Sequence, residues 1–316
     1  MTVWFGVDIG GTKIKTALVS DDGAVLHRHA FDTMASLGPS HACEQLARAL
    51  HECATAAGIS ADTIEAVGVG IAGFVEGSTG VVVEAPNLAW RDVPLKSMLE
   101  QTLQRPVSID NDANVAALGE AWQGAARGAK TVLCVTVGTG VGAGIVIGGQ
   151  VHAGATGMAG EIGHIVVDRD RSLPCGCGKF GCLETRASAT AIVRDAKLQQ
   201  EAGALPASAD IRGADDVFSL AREGFEAAKR VIADEADWLG YGLALCAMVL
   251  NPDAVVIGGG VSKSGALWLE RVQDAFSRYA QPRTIAGVRM ALAELGNDAG
   301  VVGAARLAAL NVTHNR

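Results

Sequence analysis

Apolar positions in the first thirty residues come in short alternating runs broken by glycine and acidic turns. This predicts strands over 3–9, 15–20 and 24–30, joined at Gly10-Gly11 and Asp21-Asp22-Gly23 as an antiparallel meander. Residues 40–57 then carry apolar side chains at helical spacing, and Ile64, Val67, Val69 and Ile71 return to strand spacing. The alternation continues with 81–83 extended, 95–103 helical, 107–109 extended and a helix over 113–123.

The second half begins with the same kind of unit: a strand over 131–137, a glycine turn over 138–144 and a strand over 145–147. Both halves open on a strand, a turn of glycine and threonine (Gly10-Gly11-Thr12; Gly138-Thr139-Gly140) and a second strand, which predicts two α/β lobes of similar design facing one another. A surface loop is expected over 198–216, helices over 217–230 and 231–250, and a strand over 254–257. The N-terminal lobe is expected to span 1–112 and to be closed by the C-terminal segment 300–316, whose helix covers about 300–311. The second lobe is expected to span 113–299.

A chain of 316 residues exceeds a comfortable single core, in keeping with two lobes. With 49% hydrophobic and 19% charged residues it is not a mainly disordered protein. A formal net charge of −8 argues against a nucleic-acid groove. The chain passes from Met1 directly into a strand, with no basic and apolar leader, and no apolar run reaches the roughly 20 residues a membrane span requires. A cytoplasmic protein without membrane or nucleic-acid partners is expected. Forty glycines against eight prolines suit a chain that builds anion sites from main-chain amides.

Three glycine turns stand at predicted strand ends. In Asp8-Ile9-Gly10-Gly11-Thr12-Lys13, glycine lets amides approach an anion, Thr12 offers a hydroxyl, Lys13 a charge, and Asp8 could hold Mg²⁺ through water. Alone, this segment can also be read as a hairpin turn that needs glycine. Gly138-Thr139-Gly140 is followed by a strand, which excludes a dinucleotide fingerprint, and Gly258-Gly259-Gly260 closes an apolar strand. Three such turns suit the phosphates and adenosine of a nucleotide such as ATP with Mg²⁺.

Cys175, Cys177 and Cys182, with His164 upstream, give three thiolates and one imidazole in a loop over 164–182, a spacing that suits tetrahedral zinc. A redox pair or buried free thiols are the other readings. Four protein ligands leave no open position, so the zinc is structural. Cys43, Cys53, Cys134 and Cys246 read as packing residues. Asp110, Asn111, Asp112 and Asn114 crowd a strand end and helix start, where one acid would suffice as a cap; the crowding favours a ligand site. Glu161 and Glu184 flank the zinc loop, as sugar-binding carboxylates or as solvated surface.

Asp8-Ile-Gly-Gly-Thr-Lys13, Ala85-Pro-Asn-Leu-Ala-Trp90, Asp110-Asn-Asp112, Gly138-Thr-Gly140, Gly160-Glu-Ile-Gly-His164, the cysteine cluster and Gly258-Gly-Gly260 together resemble the ROK family (repressor, ORF, kinase), and within it the bacterial glucokinases, over essentially the whole chain. The resemblance implies two actin-like, ribonuclease H-like lobes with a cleft between them, a homodimer or higher homo-oligomer, and ATP-dependent phosphorylation of a hexose. By it, Asp112 is the catalytic base, and Gly73, Asn87, Asn111, Glu161, His164 and Glu184 contact the sugar. His164 also ligates zinc, and the three glycine turns hold ATP·Mg²⁺. One departure is Ala72 in Gly70-Ile-Ala-Gly73, where the family usually has proline. ROK repressors carry a winged helix-turn-helix ahead of the first glycine turn; here seven residues precede Asp8, so a DNA-binding role is not expected. A sugar-sensing module without catalysis would be expected to lack the base. Kinases for N-acetylglucosamine, N-acetylmannosamine, fructose or allose are the nearer alternatives to a glucokinase.

Overall fold

A computed structural model describes residues 2–77, 79–170 and 172–314. The last two positions of the closing segment expected at 300–316 lie outside the described residues. The first half runs β1 (Val3–Ile9), β2 (Lys13–Ser20), β3 (Val25–Asp32), α1 (Gly38–Ala56), β4 (Ile64–Ile71), β5 (Phe74–Glu76), β6 (Val81–Ala85), β7 (Trp90–Val93), α2 (Leu95–Leu103), β8 (Val107–Asn111) and α3 (Asp112–Gln123). The rest runs β9 (Thr131–Val137), β10 (Val141–Ile147), β11 (Gln150–Val151), α4 (Ala189–Glu201), α5 (Ala214–Arg222), α6 (Glu226–Leu250), β12 (Ala254–Gly258), α7 (Ala266–Tyr279), α8 (Pro282–Gly287), β13 (Arg289–Leu292) and α9 (Ala299–His314).

The first sheet has the order β3-β2-β1-β4-β8. Its β1-β2-β3 side is antiparallel, and β4 and β8 continue from β1 in parallel. A second sheet repeats the order as β11-β10-β9-β12-β13, with β12 parallel to both β9 and β13. The duplication suggested by the two glycine and threonine turns therefore holds at the level of strand order. Strands β5, β6 and β7 form a small antiparallel sheet of their own.

The period of two along β1 decides how the first sheet is covered. Val3, Phe5, Val7 and Ile9 enter one core with Leu46, Leu50 and Cys53 of α1 and Leu95 and Leu99 of α2. On the other face Trp4, Ala17, Val19 and Ala66 meet Val301, Ala305, Ala308 and Ala309 of α9. Apart from Trp4 the buried side chains of this cluster are alanine and valine, and a Cβ on Gly6 or Gly68 would collide with the α9 backbone at Val301 or Ala304. The helix thus lies directly on the sheet, which fixes the C-terminal segment to the N-terminal strands.

Two compact units result, one of residues 1–130, 144–159 and 294–316, the other of 131–143 and 160–293. The boundary differs from the one expected at 112, because α3 stays with the first unit. Its Gly119 meets the α9 backbone at Ala299, and Gly303 of α9 meets the α3 backbone at Val115. Other expectations are corrected locally. Strand β10 begins at Val141, inside the expected glycine turn; α4 runs to Glu201, inside the expected loop; and the helices expected at 217–230 and 231–250 are α5 and α6, broken at Gly224 with φ of 104°. Strand β13 has no counterpart in the periodicity reading.

In the second unit Glu235 of α6 is buried, with one oxygen accepting from Trp268 Nε1 of α7 at 2.8 Å, and burial pushes its carboxyl up to about 7 from 4.5. A carboxyl with a raised folded value holds its proton more tightly in the folded chain. Its stabilising contribution is complete below about 4.5 and is lost as pH rises through about 7. Glu235→Gln is therefore expected to raise the unfolding temperature at pH 8 and change it little at pH 5. The ceiling is on the order of 3 kcal/mol, from about 1.36 kcal/mol per unit. Paired thermal melts at the two pH values check this; equal shifts at both would contradict it.

Candidate functional site

In the first unit the chemistry gathers at the C-terminal ends of β1, β4 and β8, where a parallel sheet offers its crevice. The turn after β1 is closed by Gly10 N–H donating to the Lys13 carbonyl at 3.0 Å, and Thr33 Oγ1 donates to the Gly10 carbonyl at 2.7 Å. A Cβ on Gly11 would lie 2.9 Å from Cβ of Asn87, so this turn and the Ala85–Trp90 segment are brought together. Asn87 sits in a single helical turn ended by Ala89, which takes a left-handed φ of 54°.

Asp8, at the end of β1, is pushed up by burial, with Lys15 Nζ opposing from 3.8 Å of its Oδ2. The antiparallel register explains the pairing, since Asp8 is opposite Lys15 on β2. Lys13, the cation singled out in the sequence, instead pairs with Asp32 on β3 at 3.5 Å, a solvent-facing contact. The motif reading did not include Lys15; the hairpin register across from Asp8 is the signal that points to it.

The polar cluster after β8 divides its labour. Asn111 caps α3, accepting from Ala113 N at 2.9 Å and Asn114 N at 3.4 Å, while its Nδ2 donates to the Gly73 carbonyl at 3.1 Å. The cap and the Gly73 loop are thereby one assembly. Asp110 accepts from Asn114 Nδ2 at 2.8 Å and from Asn111 N at 2.7 Å, and burial raises its carboxyl. Asp110, Asn111 and Asn114 thus cap and brace the start of α3. Asp112, half-buried, opens the first turn of α3, with Oδ1 accepting from Ala113 N at 2.9 Å.

In the second unit the other two glycine turns adjoin. Gly258 is in register with Thr136, and Gly259, with φ of 88°, lies where a Cβ would strike the Val137 backbone. Gly138 N donates to the Gly140 carbonyl at 2.9 Å, and the start of α4 closes on this turn through Ala189 N to the Gly138 carbonyl at 2.8 Å and Thr190 Oγ1 to the Thr139 carbonyl at 2.7 Å. A Cβ on Gly140 would be 2.6 Å from Glu184 Oε2, so the turn also abuts the cysteine loop.

That loop brings His164, Cys175, Cys177 and Cys182 together, their ligand atoms all within 4.8 Å of one another. Cys175 Sγ lies 3.6 Å from His164 Nδ1, and Cys177 Sγ lies 3.7 Å from Cys182 Sγ. A tetrahedron with Zn–S near 2.3 Å and Zn–N near 2.1 Å has edges of about 3.6 to 3.8 Å, so the donor set fits zinc. Burial raises the Cys175 thiol, whereas the Lys179 amide lowers that of Cys177. Nδ1 of His164 faces the sulfurs, which leaves Nε2 towards Glu161 Oε2 at 3.9 Å. Glu184 Oε1 accepts from Cys175 Sγ at 2.8 Å and is 3.6 Å from His164 Nδ1. Burial raises the Glu161 carboxyl, against the pull of His164. Among the described residues no helix is long and apolar enough to cross a membrane.

A duplicated sheet of this order, with glycine turns at the strand ends, defines an α/β protein of actin-like fold. The ROK family model matches residues 4–310, and the chain belongs to the ROK family. A glucokinase of Halalkalibacterium halodurans is 44% identical over 95% of this chain and 93% of its own length. Among solved structures, a ROK hexokinase from Thermus thermophilus is 34% identical with a TM-score of 0.87, covering 99% of this chain and 100% of its own. A ROK family glucokinase from Streptomyces griseus, solved in complex with glucose and AMPPNP, is 38% identical with a TM-score of 0.77 over 98% of this chain and 99% of its own.

Proposed function

We propose that this sugar kinase transfers the γ-phosphoryl group of ATP to glucose, giving glucose 6-phosphate, with Asp112 as general base. What carries the reading is that the motifs shared with the glucokinases stand at strand ends and helix starts within each unit, supported by likeness to such an enzyme over nearly the whole chain. Asp112 accepts the proton of the attacking hydroxyl as its oxygen moves in line on the γ-phosphorus. Asn111 and Gly73 orient the sugar with Asn87, Glu161 and Glu184 accept from its hydroxyls, and His164, whose Nδ1 is turned to the sulfurs, donates through Nε2–H. The turns at 10–13, 138–140 and 258–260 take the nucleotide through main-chain amides, and Asp8 and Lys15 face its phosphates and Mg²⁺.

His164, Cys175, Cys177 and Cys182 hold a structural zinc ion, which supplies no reacting group and fixes the loop that carries Glu161 and Glu184. The protein acts in the cytoplasm, as a homodimer or higher homo-oligomer.

ADP release measured against a panel of hexoses and N-acetylhexosamines tests the reading. Glucose is expected to exceed N-acetylglucosamine and N-acetylmannosamine by at least ~10-fold in kcat/KM, because an acetamido group needs volume and a partner that a pocket shaped for a hydroxyl lacks. An acetylated sugar that equals glucose would keep the kinase and remove the glucose assignment. ADP release with no sugar at all would remove both.

A further inference from the structure

We propose that Arg186 is a positioning residue for the sugar-binding carboxylates, acting through a clamp with Asp168 and Ser172 that closes the cysteine loop independently of the metal. The inference rests on the sugar-kinase reading above. Arg186 Nη2 donates to Asp168 Oδ2 at 2.8 Å and to Ser172 Oγ at 2.8 Å, and Ser172 Oγ donates to the same Asp168 oxygen at 2.8 Å. The three polar groups thus form a closed triangle, with Asp168 itself only 5% exposed.

The triangle joins three stretches that the metal ligands do not join at this end. Asp168 follows His164 by four residues, Ser172 precedes Cys175 by three, and Arg186 follows Glu184 by two. Backbone pairing runs alongside, with Val167 N and Asp168 N both donating to the Gly181 carbonyl at 2.9 and 3.1 Å. The Arg186 guanidinium also lies over the Trp238 ring at 5.4 Å, which ties the loop to α6. Of the loop's apolar side chains Val167 is buried, whereas Val166 and Phe180 are exposed. Arg186 and Ser172 hold the Asp168 carboxyl down at about 2, so the clamp keeps its charge throughout any assay range.

A planar guanidinium is required to bond and stack at once, so lysine is a partial substitute and methionine none. Steady-state kinetics of Arg186→Met, Arg186→Lys and Ser172→Ala, with zinc release from the purified proteins to a chromogenic chelator, test the clamp. Arg186→Met is expected to raise the glucose KM by at least ~10-fold with kcat within about 3-fold and the ATP KM unchanged, and to speed zinc release by at least ~10-fold. Arg186→Lys is expected between it and the wild type, and Ser172→Ala within about 5-fold of the wild type. Unchanged glucose KM and unchanged release in Arg186→Met would overturn the proposal. So would a fall in kcat that merely tracks the folded fraction at constant KM, the signature of a residue that serves stability alone. Should Arg186→Met not fold, the same readouts on Arg186→Lys decide. A chain that phosphorylates no sugar overturns the kinase reading, whereas the release rates still report on the clamp.

Discussion

Asp112→Asn is expected to lower turnover by at least ~10², the lower range for loss of a general base, while sugar binding and the unfolding temperature stay near their wild-type values. The amide keeps the size of the carboxyl and can still accept from Ala113 N through its oxygen, the hydrogen bond made by Oδ1 at 2.9 Å. The cap of α3 survives because it is supplied by Asn111, not by Asp112. What is lost is a charge at the first turn of a helix, worth about 0.3 to 1 kcal/mol at such a position, and the capacity to take a proton. Steady-state kinetics, glucose binding by calorimetry and a thermal melt on the same preparation check the three statements. Near-normal turnover with an intact melt would remove Asp112 from its role. Asn111→Ala is the useful contrast, since it removes both the cap and the bond to the Gly73 carbonyl and so should disturb the fold at α3 as well as the kinetics.

How much of this was legible in the sequence depends on whether the deciding interaction is local. The strands of β1, β4 and β9 could be read because alternation and glycine turns are properties of a few adjacent residues. The cysteine cluster could be read because its ligands lie within one short loop. The place of α3 could not, because it depends on Gly119 meeting an element almost two hundred residues later in the chain. The pairing of Asp8 with Lys15 was not legible for a related reason: strand register decides which lysine faces Asp8, and a motif ends before register begins. The crowding at Asp110, Asn111, Asp112 and Asn114 was legible, whereas the bonds that tie Asp110, Asn111 and Asn114 to the start of α3 belong to the folded chain. The Asp168–Arg186 contact left no trace in any motif, because its members are spread over a loop whose path only the folded chain reveals.

Purified protein is expected to carry about one zinc per chain, and Cys177→Ser to lose both the metal and the larger part of its activity. Besides the metal, the loop from 164 to 182 is closed by backbone bridges at Val166–Cys182 and Pro174–Phe180. Ile165, Val166 and Phe180 are each more than a third exposed, so burial of apolar surface contributes little there. Serine cannot supply a thiolate, and the remaining His164, Cys175 and Cys182 would bind zinc with one position open to water. Structural zinc sites commonly contribute on the order of 10 kcal/mol to the fold of their own loop, far more than the clamp on the other side could replace. Freed from the metal, His164 loses the orientation that turns Nε2 towards Glu161, and the stretch that carries Glu184 loses its anchor at Cys182. Both carboxylates then reach the sugar only part of the time, and kcat/KM is expected to fall by at least ~10-fold, the range found when the support of a metal-held ligand is removed. Metal analysis, glucose kinetics and limited proteolysis across 165–181 check the chain of cause. Protein purified with no zinc, or a Cys177→Ser variant with full activity and an uncut loop, would remove the metal from the account. The first unit contains none of the four ligands, so its thermal transition is expected to move little in the variant.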